Sequence, residues 1–132
     1  MSRRAVVADE LALACDRGSP RQARRFVEGL VVGHAKADEI ALLTSELVTN
    51  AVCHATTPSE LLVQVSEHTV RVEVHDASSA PVQPRLPDHE GGRGLRLVEL
   101  LSDRWGVDKS HDGKSVWFEI DEPAAHATPQ ND

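Results

Sequence analysis

Glu46 and Asn50 stand four residues apart, and a helix places such positions on one side, one turn from each other. A carboxylate held there can serve as a general base, and an amide oxygen is a hard ligand suited to Mg²⁺. Glu39 and Leu43 fall on nearby turns of the same side, and His54 follows one turn beyond Asn50. Spacing alone describes an ordinary solvated helix face more often than a site.

Asp76 carries more information. Val70, Val72 and Val74 alternate with Arg71, Glu73 and His75, which is the period of a half-buried strand. Asp76 is in phase with the valines, so its carboxylate sits at the end of the inward face and needs a donor there. The exocyclic amino group of a purine is one such donor, and a turn-forming Asp at a strand end is the alternative. Gly92-Arg93-Gly94 stands immediately before an apolar helical stretch. Glycines let a backbone approach a ligand, and free N–H groups at a helix start favour anions. That makes a phosphate site, with Arg93 as added positive charge, or simply a flexible glycine-rich helix start.

Other motifs fail on inspection. Gly113-Lys114-Ser115 resembles the end of a P-loop, but position 108 is Asp rather than Gly, and a strand follows instead of a helix. Gly92-x-Gly94 is no dinucleotide fingerprint, because position 97 is Leu. The seven histidines and two cysteines show no metal-ligand spacing. Ser45 or Ser66 could be imagined in a hydrolytic triad, but no nucleophile-elbow motif surrounds either.

The elements that must position these residues are legible in outline. Ser19-Pro20-Arg21-Gln22 predicts a helix start, with Ser19 as cap, Pro20 at the first position and Gln22 closing a capping box. Ala23, Phe26, Val27 and Leu30 form its apolar stripe. A second helix spans Ala37–His54, with Ile40, Leu43, Leu47 and Ala51 inward. Strands follow at 61–65 and Thr69–Asp76, turning at His68-Thr69. A proline-bearing loop covers 77–90, a third helix 95–102, and two more strands 104–109 and 114–121. At most one short strand, near 11–15, precedes the first helix. Segregated helices and hairpin-linked strands predict an α+β fold, a two-layer sandwich of a mixed or antiparallel sheet with helices on one face.

Composition sets the bounds. A chain of 132 residues fits one domain, expected over 1–122, with a polar tail at 123–132 expected to be disordered. The net charge of −7 excludes nucleic-acid binding by bulk charge. No run of about 18 apolar residues is present, so no membrane helix is expected. The N-terminus does not read as a signal peptide, and Cys15 and Cys53 then read as reduced thiols of a cytoplasmic protein.

Taken in order, Glu46-Leu47-Val48-Thr49-Asn50-Ala51, then Val72 through Ser78, then Gly92-Arg93-Gly94-Leu95, resemble the three nucleotide-binding boxes of the GHKL ATPase superfamily. The segment from Gly113 to Glu119 is similar to the last strand of its bacterial anti-sigma factor serine/threonine kinase branch, of the RsbW and SpoIIAB type. The likeness covers roughly residues 10–121. It implies a Bergerat ATP-binding fold that uses ATP and Mg²⁺. It implies Asn50 as the Mg²⁺ ligand, Glu46 as general base, and Asp76, with Ser78 beside it, as the adenine contact. Gly92, Arg93, Gly94 and Leu95 would wrap the phosphates, and Ser115 would line the adenine end. It further implies a sigma factor and a small anti-anti-sigma (STAS-type) antagonist as partners, the antagonist being phosphorylated on serine, and a homodimer without direct nucleic-acid contact. A non-catalytic, ATP-responsive binding module is the other reading. A detached histidine-kinase ATPase domain fits less well, since no phosphoacceptor hairpin precedes the domain. The second box departs from the wider superfamily: residues 76–80 carry no glycine after the Asp, which leaves that loop less pliable.

Overall fold

The computed structural model describes residues 7–14, 16–54, 58–77 and 90–123. In chain order the elements are β1 (Val7–Leu13), α1 (Ser19–Leu30), α2 (Ala37–His54), β2 (Ser59–Val65), β3 (Thr69–Asp76), α3 (Glu90–Leu101), β4 (Arg104–Ser110) and β5 (Gly113–Asp121). The fold is α+β. The sheet runs β1-β2-β3-β5-β4, and every neighbouring pair is antiparallel.

Alternation decides which side each strand residue faces. On β3, Val70, Val72, Val74 and Asp76 are buried, while Arg71, Glu73 and His75 are half-exposed. Their partners on β5, namely Ile120, Phe118, Val116 and Lys114, are buried as well. The helices cover this side. Packing runs from α1 to α2, from α2 to α3, and from α2 onto β3. On α2 the buried residues Ile40, Leu43, Thr44, Leu47 and Val48 recur at helical spacing. On α1, Ala23 and Val27 are buried and Phe26 and Leu30 pack partly against the core. Valines and leucines supply most of the interior, with Phe118 its one fully buried aromatic side chain among the described residues.

Several boundaries differ from the sequence expectation. β1 starts at Val7, earlier than 11–15, and pairs along its whole length with β2. Its register places Asp9 on the helix side opposite Val63, so the alternation is broken by a carboxylate near an exposed strand end. Ser19 does not cap α1; the cap is Gly18, and the Ser19 hydroxyl donates to the Ala14 carbonyl. The hairpin between β2 and β3 closes one position earlier than His68-Thr69, with Ser66 N–H donating to the Thr69 carbonyl. α3 begins at Glu90, so Gly91, Gly92 and Gly94 lie inside the helix rather than before it. Glycine is a poor helix former by about 1 kcal/mol, which is why sequence reasoning starts the helix late. No described helix is long and apolar enough to cross a membrane.

Candidate functional site

α2 holds Glu46 and Asn50, both half-buried, on the flank of the stripe formed by Leu43, Leu47 and Val48. Neighbouring hydroxyls on this helix are used internally. Thr44 donates to the Ile40 carbonyl at 2.7 Å, Ser45 to Leu42 at 2.9 Å, and Thr49 to Ser45 at 2.7 Å. Ser45 and Ser66 thus each donate to a backbone carbonyl, Ser66 to that of Thr69. Among the described residues, no hydrogen bond or ion pair occupies the Glu46 carboxylate or the Asn50 amide.

The connectivity brings this helix to one end of the sheet. α2 ends at His54 and β2 starts at Ser59, and Ser59 is the ladder partner of Asp76. The C-terminal turns of α2 therefore reach the sheet end where Asp76 lies. β3 ends at Asp76, and α3, packed on α2, follows it in the chain. The described part of α3 begins at Glu90, and the N–H groups at the start of an α-helix lack partners within the helix and favour anions. The Glu46 carboxylate and Asn50 amide of α2 and the buried Asp76 carboxylate of β3 thus lie toward one end of the sheet, and α3 packs beside α2. Ser78 lies outside the described residues. The backbone at Gly92, Arg93 and Gly94 is helical, and Leu95 is buried in the core.

Asp76 is 3% exposed, and the Lys114 ammonium stands 3.5 Å from its Oδ1. Lys114 faces Asp76 across the β3–β5 ladder and is itself buried. The preceding glycine makes the approach possible. Gly113 has φ +143°, and a Cβ there would lie 2.1 Å from the Asp76 carbonyl oxygen. Sequence reasoning passed over Lys114. The signal that could have found it was its phase with Val116, Phe118 and Ile120, which puts a lysine on the buried side of a strand.

Ser115 is placed otherwise than the resemblance implies. It pairs with His75, and its Oγ lies 3.0 Å from His75 Nδ1, on the face away from the helices. The sheet separates Ser115 from Asp76, because adjacent strand residues point to opposite faces. That outer face carries its own charge network. Arg71 bonds Glu119 at 3.1 Å and lies 4.2 Å over the Trp117 ring, and Arg104 bonds both Glu119 and Asp121. A hollow of about 320 Å³ on this face touches Leu62, Gln64, Arg71 and Glu73 and includes none of the residues around Asp76.

The acidic members of the network have shifted acidities. The Arg104 hydrogen bond holds the Glu119 carboxyl below its usual range, with Arg71 adding to the effect against partial burial. Arg104 likewise lowers Asp121, with help from the Thr69 hydroxyl.

A family model described as a histidine kinase-like ATPase domain matches residues 14–120. The chain belongs to that family. The match makes the protein an ATP-binding domain of the GHKL superfamily. No curated protein matches the chain. In the ATPase domain the described residues contain no cluster of three or more metal-ligating side chains. The available donors, the Asn50 amide oxygen and the Glu46 carboxylate, fit Mg²⁺ better than a softer ion. Magnesium is commonly held by one or two protein oxygens together with water and substrate phosphates.

Proposed function

We propose that this ATPase domain is a Mg-ATP-dependent protein-serine kinase and anti-sigma regulatory factor, acting in the cytoplasm as a homodimer. Its substrate is a small anti-anti-sigma antagonist of the STAS type, and its other partner is a sigma factor. The observation that carries the kinase reading is Glu46, one turn from Asn50 on α2, with its carboxylate unengaged among the described residues. ATP binding calls for Asn50, Asp76 and the α3 start; a carboxylate beside them is what proton transfer adds. Glu46 accepts the proton of the antagonist's serine hydroxyl as its oxygen bonds to the γ-phosphorus. The bond from that phosphorus to the β,γ-bridging oxygen breaks, leaving ADP and a phosphoserine. Asn50 would hold the Mg²⁺, whose charge offsets that of the phosphates. Asp76 orients the base, and the N–H groups of α3 bind the phosphate chain.

The test mixes the protein with Mg-ATP and candidate STAS-type antagonists and reads phosphoserine by mass spectrometry. Label on an antagonist serine is expected. Measurable ATP binding with label on none of them sinks the kinase reading. It leaves the second reading, a module in which ATP sets conformation and partner choice. The glycine-free loop after Asp76 favours that second reading in one respect, because a stiffer loop closes less readily over the nucleotide.

A further inference from the structure

Among the described residues Lys114 is the one buried lysine or arginine. A buried ammonium is costly unless it is paired and hydrogen-bonded. Its partner is Asp76, at 3.5 Å, which is longer than the roughly 2.7–2.9 Å of a tight charged hydrogen bond. An ammonium has three donors, so Asp76 alone does not saturate it. The two groups come from adjacent strands in direct register, on the side of the sheet that faces α2. Together they present an acceptor and a donor next to each other, at the end of the sheet that Asn50 approaches. The close contact at Gly113 fixes their spacing through the backbone.

Adenine presents the complement along one edge: an amino donor beside the ring N1 acceptor. Guanine in the same pose presents an oxygen acceptor toward Asp76 and an N1–H donor toward Lys114, a mismatch at both positions. We infer that Lys114 is a second base-reading residue, donating to adenine N1 while Asp76 accepts from the amino group. The pair thus sets nucleobase specificity as well as position. The inference rests on ATP occupying this site, though not on phosphoryl transfer to any partner.

The experiment compares ATP, 1-deaza-ATP (ring N1 replaced by C–H) and GTP by isothermal titration calorimetry with Mg²⁺, on the natural protein and on Lys114→Met. The natural protein is expected to bind ATP about tenfold or more tighter than 1-deaza-ATP, the usual effect of losing a hydrogen bond to a charged group. GTP is expected to bind more weakly still. Lys114→Met is expected to bind ATP and 1-deaza-ATP within about twofold of each other. Equal binding of the two by the natural protein overturns the inference and leaves the ATP site intact. A preference that survives in Lys114→Met also overturns it. Absence of ATP binding to the natural protein overturns both. If Lys114→Met does not fold, as circular dichroism would show, the analogue comparison on the natural protein decides alone.

Discussion

Glu46 and Asn50 are neighbours on one helix, yet the proposed chemistry gives them separable effects. Glu46→Ala removes a proton acceptor and leaves the nucleotide contacts in place. Transfer to the antagonist is expected to fall by roughly 10²–10⁴-fold, with ATP affinity within about twofold of the natural protein. Asn50→Ala removes the metal-facing oxygen, so Mg-ATP affinity is expected to fall about tenfold or more, while metal-free ATP binding changes little. Calorimetry with and without Mg²⁺, paired with the mass-spectrometric assay, separates the two. Transfer that is unchanged in Glu46→Ala would remove the base assignment; unchanged Mg-ATP affinity in Asn50→Ala would remove the metal assignment. Both side chains are half-buried and flank the core stripe without filling it, so neither substitution is expected to unfold α2.

At the scale of elements, the site depends on how β5 meets β3. Gly113 combines a backbone conformation that side chains avoid with a Cβ position 2.1 Å from the Asp76 carbonyl oxygen and 2.9 Å from the Ala77 Cα. Gly113→Ala is expected to destabilise the fold by about 2 kcal/mol or more, read by urea unfolding, because backbone must shift on both strands. ATP affinity is expected to fall with it, since Asp76 and Lys114 move with those strands. A stability within about 0.5 kcal/mol of the natural protein would show that the close approach is not needed.

The same elements show what the sequence could and could not disclose. α2 and β3 announce themselves because each has one buried side and an unbroken period, and the valine phase carries Asp76 inward with it. β1 hides because it is an edge strand with Asp9 on its inner phase and exposed residues along most of its length. The start of α3 is obscured by glycines, whose weak propensity is overridden once Leu95 and Val98 anchor the helix in the core. Lys114 escapes notice because a lysine on a strand reads as solvated; only its register opposite Asp76 reveals the pairing. Ser115 shows the converse, a family position that strand phase places on the other face.

For the molecule as a whole, the face of the sheet away from the helices ties the ends of three strands together through charge. Arg104 on β4 bridges Glu119 and Asp121 on β5, Arg71 on β3 reaches Glu119 from the other side, and Thr69 donates to Asp121. Both carboxyls titrate lower in the folded protein than in the unfolded chain, so the unfolded chain binds more protons as pH falls through the carboxylate range. Their contribution to stability is therefore complete above the unfolded pKa values, about 4, and is lost as pH drops through the lower, folded ones. Asp112, held low mainly by the Ser110 hydroxyl, adds in the same direction. Arg104 is about half exposed, its side chain 48% accessible, so solvent and salt screen the effect and it stays small for each pair. Thermal unfolding of the natural protein is expected to show a lower Tm at pH 3 than at pH 7. Arg104→Ala is expected to lower the Tm at pH 7 and to narrow the gap between the two pH values, since it removes the largest cause of both shifts. Added salt should narrow the gap in the natural protein more than in the variant. An equal pH dependence in the two proteins would show that the network does not couple protonation to folding.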